Sequence, residues 1–154
     1  MFNGENMTTK IIVGGLIVKD GKFVMVKEKK AGIAGLWNLT LGHLEGNETI
    51  LDGAKREMEE ESGLQVKLDA FLGVYQHPHR PPENANVIKM IFLASVVSGE
   101  LHCPPDLLDV RWISFGEFKK MPLAEQRDGE ANQMIIADYL AGKRYPIGLM
   151  QHYG

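Results

Sequence analysis

Residues 42–64 read GHLEGNETILDGAKREMEEESGL, and the spacing of charge in this stretch governs how the rest of the chain is read. Glu48, the pair Arg56-Glu57, the pair Glu60-Glu61 and the closing Gly63-Leu64 stand at set intervals. The pattern predicts a helix over 49–62. Thr49 can cap its start, an acid at Glu48 suits the positive end of the helix dipole, and Gly63 suits the residue just past its end. At 3.6 residues per turn, Glu57 and Glu61 fall one turn apart, roughly 40° around the axis, with Glu60 on the same side. Ile50, Leu51, Ala54 and Met58 form an apolar stripe beside them, while Asp52 and Glu59 point toward water. Three acids therefore gather at the edge of the buried face.

Like charges this close repel, and near a buried edge they raise one another's pKa unless a cation neutralises them. A hard divalent ion does so well, because Mg²⁺ prefers oxygen ligands and shares them with substrate phosphates. From the helix alone, a solvated acidic face is an equally good reading.

Composition narrows the classes. A chain of 154 residues with 44% hydrophobic and 24% charged residues suits one globular domain with a sizeable core. A net charge of −3 supplies no global attraction for a nucleic-acid polymer or an anionic membrane, so any phosphate binding must be local. The single Cys103 has no internal disulfide partner, which suits a reducing cytoplasm. No stretch approaches a membrane span, and the apolar run 11–18 is broken by two glycines and lacks a basic flank.

Outward from the central stretch, residues 1–9 read as a flexible segment, with Met1 and Met7 both open as starts. The domain is expected over 10–150. Residues 10–18 and 23–27 read as strands joined by a turn at Asp20-Gly21. Lys27-Glu28-Lys29-Lys30 follows, and Lys29 is placed to reach a substrate phosphate. Residues 65–75 alternate as a strand does. His77-Pro78-His79-Arg80-Pro81-Pro82 reads as a stiff loop with Arg80 as a candidate for phosphate or ring contact. Residues 87–97 read as a central strand in which Lys89 is out of place unless it lines a pocket. Glu100, Asp106 and Asp109 are further candidates for a metal or base position. Residues 109–115 run as a strand into a helix start. Residues 129–141 predict a helix whose apolar face is Ala131, Met134, Ile135, Tyr139 and Leu140. Trp37 joins Arg80 as a candidate for stacking on a substrate ring.

The interval Gly42, Glu48, Arg56-Glu57-Met58, Glu60-Glu61, Gly63-Leu64 resembles the Nudix box, G-x5-E-x7-R-E-U-x-E-E-x-G-U, at every specified position. By residue frequencies a chance match is on the order of one in ten million. The resemblance implies an α/β/α sandwich around a mixed β-sheet, in the α+β range. It implies a Mg²⁺-dependent hydrolase, with Mn²⁺ as an alternative ion, acting on small phosphoanhydrides as a monomer or homodimer. It further implies that Glu57, Glu60 and Glu61 hold metal and do the catalytic work, and that Arg56 pairs with Glu48. The backbone carbonyl of Leu41 is a further metal ligand on this view. Upstream the chain departs from the family's W-x-U-P-G-G, carrying Trp37-Asn38-Leu39-Thr40-Leu41-Gly42, and Asn47 replaces a common glycine. Leu36-Trp37-Asn38, Gly42-His43-Leu44-Glu45, Arg111-Trp112 and the tail from Gly142 to Pro146 resemble the NudJ-type branch. That branch implies orthophosphate release from nucleoside di- and triphosphates and a thiamine-precursor pyrophosphate. The alternatives are a pyrophosphohydrolase releasing pyrophosphate or a nucleoside monophosphate, a nucleotide sensor without turnover, and an isomerase on the same fold.

Overall fold

The computed structural model describes residues 7–154, so most of the segment expected to be flexible lies outside the described residues. Thr9 already belongs to β1 (Thr9–Lys19). The chain turns at Asp20-Gly21 into β2 (Lys22–Glu28), and Lys19 faces Lys22 across the two-residue hairpin. Two short strands follow, β3 (Trp37–Asn38) and β4 (Thr40–His43), and lead into α1 (Ile50–Ser62). The long pair β5 (Gln65–Arg80) and β6 (Ala85–Ser98) forms a second hairpin. Then come β7 (Leu107–Ser114), α2 (Phe115–Lys120) and α3 (Gly129–Leu140). A reciprocal capping box between Ser114 and Glu117 starts α2 directly from the end of β7.

The sheet runs β3-β2-β1-β6-β5, with β4 added to β1 and β7 to β2. Only β1 and β6 run parallel, so the sheet is mixed. Consecutive strand residues face opposite sides, and β1 shows what this does. Leu16 packs with Phe23, Met25 and Ile91 against Phe118 of α2 and Ile135 and Ile136 of α3. Its neighbour Ile17 packs with Val24 and Val26 against Met58 of α1. The helices thus cover both faces and the α/β/α sandwich is present. Each fully buried Leu, Ile or Met in these layers contributes about 1.5–3 kcal/mol.

Three local expectations need correction. His77-Pro78-His79-Arg80 is not a loop but the end of β5, and only residues 81–84 turn. Pairing with β6 continues through His77 with Val87 and Arg80 with Ala85, and a register shift between them accommodates Pro78, which has no N–H to give. In α3 the buried positions are Gly129, Asn132, Ile135 and Ile136, while Met134 and Leu140 are exposed. Asn132 sets that orientation by donating to the Arg127 carbonyl at 3.0 Å and to Gln126 at 3.3 Å. Glu59 does not point freely to water; its carboxylate accepts from the Val66 N–H at 2.9 Å and ties the end of α1 to β5. No helix among the described residues is long and apolar enough to cross a membrane.

Candidate active site

Thr49 caps α1 by accepting from the Asp52 N–H at 3.1 Å, and Gly63 closes it in the left-handed conformation at φ 77°. Within this frame Arg56 acts as a clamp. Its Nη2 and Nε donate to the two oxygens of Glu48 at 2.6 and 2.8 Å. Its Nη1 reaches Glu57 at 2.8 Å and Glu60 at 3.2 Å, and Nη2 also donates to the His43 carbonyl at 3.1 Å. The Arg56 hydrogen bonds, aided by the Glu45 N–H, lower the Glu48 carboxyl to about 2. Gly42 makes room on the other side: a Cβ there would overlap the Glu57 carboxylate, so the glycine on β4 is the seat of that acid.

Glu57 and Glu61 lie one turn apart on α1 and line a cavity of about 820 Å³ with Glu60, Glu28, Asp106 and Leu41. Burial raises Glu57 above the usual carboxylate range, against the pull of Arg56. Burial first, then the charges of Glu28, Glu57 and Asp106, push Glu61 further up. Arg56 bonds Glu48, Glu57 and Glu60 but makes no ion pair with Glu61. Leu41 donates its N–H to Glu61. In the antiparallel pairing Leu44 donates to Ile11 and Leu41 lies opposite Gly14, so alternation directs both the N–H and the carbonyl of Leu41 away from β1.

Among the described residues no three His, Cys, Asp or Glu side chains converge as a preformed metal cage. The donor chemistry nevertheless fits a hard divalent cation. The cavity offers carboxylate and carbonyl oxygens, no thiolate and no imidazole, and Glu61 is a half-buried acid with other acids around it.

A smaller cavity of about 200 Å³ adjoins the first, sharing Glu28, Lys30 and Leu41 with it. Here the balance reverses. Lys89 of β6 donates to Asp128 at 2.6 Å, and Arg80 at the end of β5 reaches the same oxygen at 3.2 Å. Arg127 lines the same wall. Burial lowers Lys89 despite Asp128. Burial alone would raise Asp128, but Lys89, Arg80 and Arg127 outweigh it and hold its carboxyl below the ordinary value. His43 is lowered by burial and by Lys10, Lys30, Arg127 and Arg80.

The expected residues therefore separate. Glu57, Glu60, Glu61, Leu41 and Lys29 line the carboxylate cavity, and Arg80 and Lys89 line the cationic one. Glu60 is the most open of the acids, with 61% of its side chain exposed. Lys29 is engaged with the Pro105 carbonyl at 3.0 Å. Trp37 reaches neither cavity. It faces the other side of β3, between Lys27 and Arg111, with ring distances of 5.6 and 5.5 Å. Of the loop acids only Asp106 arrives; Asp109 is held by Arg111 at 2.7 Å, and Glu100 lies exposed outside both cavities. Glu28 was not anticipated. Strand alternation carries the signal, because Val24, Val26 and Glu28 share the face of β2 that packs on α1. Arg127 and Asp128 have no comparable signal.

The NUDIX domain family profile matches residues 8–134. This chain belongs to that family. The Nudix chain is 32% identical to an ADP-ribose pyrophosphatase of Methanocaldococcus jannaschii over 133 residues, 86% of this chain and 74% of the relative. It is 30% identical to the phosphatase NudJ of Shigella boydii over 145 residues, 91% and 89% of the two chains. A solved NUDIX hydrolase from Nitrosomonas europaea superposes with a TM-score of 0.85 at 29% identity, covering 95% of this chain and 98% of the other. By this membership the protein is a hydrolase acting on phosphoanhydrides.

Proposed function

We propose that this Nudix hydrolase cleaves nucleoside di- and triphosphates or related small pyrophosphates with a divalent cation, Mg²⁺ or alternatively Mn²⁺, and releases orthophosphate. The observation that carries the reading is Glu61, a half-buried acid in a cavity it shares with Glu28, Glu57 and Asp106, beside a clamp that neutralises only its neighbours. Glu57, Glu60 and Glu61, with the Leu41 carbonyl, would hold the ion. Bound there, such an ion neutralises phosphate charge and lowers the pKa of an attacking water. Arg56 fixes the Glu57 carboxylate against the seat at Gly42, so that this acid is oriented before substrate arrives. Glu28 and Asp106, which reach the cavity from outside the box, are the acids available to accept the water's proton. The adjoining cations supply local attraction that the net charge of −3 does not. The full set of box acids weighs against a sensor without turnover, and the placement of Cys103 outside both cavities weighs against isomerase chemistry. Its exposed, free thiol is consistent with a cytoplasmic protein.

The resemblance in name to NudJ favours orthophosphate as product, whereas the archaeal relative's name favours cleavage inside a nucleoside diphosphate derivative. A phosphate-release assay with Mg²⁺ separates them, run over nucleoside triphosphates, nucleoside diphosphates and a pyrimidine pyrophosphate with and without inorganic pyrophosphatase, and over ADP-ribose with alkaline phosphatase to free phosphate from the AMP and ribose 5-phosphate that its cleavage leaves. Orthophosphate without the helper enzyme, lost in Glu61→Gln, is the expected result. Signal only with the helper makes pyrophosphate the product. No turnover, with nucleotide still bound, refutes the hydrolytic reading for these substrates.

A further inference from the structure

We infer that the cationic cavity beside the carboxylates is a second anion subsite, taking a terminal phosphate of the substrate that lies beyond the anhydride being cleaved; this rests on the hydrolase reading above. Four cations meet there from distant parts of the chain: Lys30 after β2, Arg80 at the end of β5, Lys89 in the middle of β6 and Arg127 before α3. Asp128 and Glu28 are the acids set against them. Asp128 is already engaged by both Lys89 and Arg80. Glu28 accepts from Asn38 at 3.3 Å and belongs equally to the neighbouring cavity. Lys30 and Arg127 make no ion pair among the described residues. The cavity therefore has an excess of positive charge in a protein whose net charge is negative.

That excess is not incidental to packing. The Lys89 side chain is only 6% exposed in a central strand between apolar neighbours. A buried ion pair at such a place is at best weakly stabilising compared with a hydrophobic residue of similar volume. Asp128, which holds Lys89, sits at φ 53°, a left-handed conformation uncommon outside glycine, and caps nothing at the start of α3. The pair faces the cavity from one side while Arg127 and Lys30 face it from others. Arginine presents a planar fork of donors suited to phosphate oxygens, and lysine a mobile point charge. Because the two cavities join at Leu41, Glu28 and Lys30, a short polyphosphate can lie with its reacting phosphorus over the carboxylates and its terminal phosphate among the cations. A diphosphate esterified at both ends offers no terminal phosphate there.

The test has two arms, using Arg127→Met and Lys30→Met, since the hydrogen bonds that hold these two residues in the fold are made by their backbones. In the first, metal-free protein in chelator is titrated calorimetrically with inorganic tripolyphosphate. Wild type and Glu61→Gln are expected to bind, and each cation variant to bind roughly tenfold more weakly or worse, the loss expected for a charge-assisted hydrogen bond. Unchanged binding in both cation variants, or no binding by wild type, overturns the subsite. In the second arm, Arg127→Met is expected to raise KM for a nucleoside triphosphate by about tenfold with little change in kcat, and to leave KM for ADP-ribose unchanged. An equal rise for both substrates overturns the proposal. If no substrate turns over at all, the hydrolase reading fails, and the titration still decides whether the cavity binds phosphate.

Discussion

The two adjoining cavities are unbalanced in opposite senses. In one, five acids line the wall and Arg56 reaches two of them, Glu57 and Glu60. In the other, four cations outnumber Asp128 and Glu28. Each imbalance is unfavourable to the isolated chain, and both lie along the path that a metal-bound polyphosphate would follow. The difference lies in how they are built. The acidic side comes mostly from one turn-and-a-half of helix, stiffened by one arginine. The cationic side is assembled from the segment after β2, from β5, from β6 and from the entry to α3, and one aspartate holds two of its four cations. The first should fail sharply when its clamp is removed, and the second should weaken one charge at a time.

The largest effect is therefore expected at Arg56. Arg56→Met leaves Glu48, Glu57 and Glu60 without the cation that joins them and frees the His43 carbonyl. Breaking a partly buried cluster of this kind should cost about 3 kcal/mol, read by urea denaturation. Phosphate release should fall about 100-fold or more, since a positioning group behind the metal-holding acids is lost. Arg56→Lys should not rescue activity, because a point charge cannot bond both Glu48 oxygens and Glu57 together. Full rescue by lysine would show that the clamp is only neutralising charge.

A smaller effect of opposite sign is expected at Glu61. Its carboxyl is raised in the fold, so its favourable contribution is complete below the unfolded pKa and is lost as pH rises through the folded value. Near neutral pH and without metal, the fold opposes the ionisation that the unfolded chain allows, so Glu61 destabilises the native state. Glu61→Gln should raise the metal-free Tm at pH 7.5 by a few degrees, about 1 kcal/mol. The advantage should vanish near pH 4. Added Mg²⁺ or Mn²⁺ should stabilise wild type and not the variant. A Tm that falls at pH 7.5 in chelator would mean Glu61 is not strained by its neighbours.

The same contrast explains what was legible before any coordinates existed. The helix with Thr49, Arg56 and Gly63 could be read because its capping, its period and its charge spacing all lie within one stretch. The sandwich could be read because apolar periodicity changes from two to nearly four along the chain. Glu28 was hidden by the lysines around it, although it continues the alternation of Val24 and Val26. The end of β5 was misread because Pro78 suggests a break, whereas pairing with β6 overrides local preference at a bulge. The face of α3 was misread because buried Asn132, a polar residue, orients the helix. Arg127 and Asp128 meet Arg80 and Lys89 only through tertiary pairing, and no local spacing encodes that meeting.

The smallest effect tests how sharply the boundary of the site is drawn, and it concerns two adjacent residues of β3. Trp37 and Asn38 point to opposite sides of the strand. Trp37 lies between Lys27 and Arg111 on the face toward α2. Asn38 is buried, donates to Glu28 at 3.3 Å and accepts from the Leu39 N–H at 2.9 Å, so it orients the acid shared by both cavities. Trp37→Leu should thus leave KM and kcat within about twofold, as a substitution outside both cavities does, while Asn38→Ala should lower kcat several-fold by releasing Glu28. Steady-state assays of both variants on one nucleoside triphosphate decide the matter. A large KM change in Trp37→Leu would bring the aromatic ring back to the substrate and extend the site across the strand, which the alternation of β3 forbids.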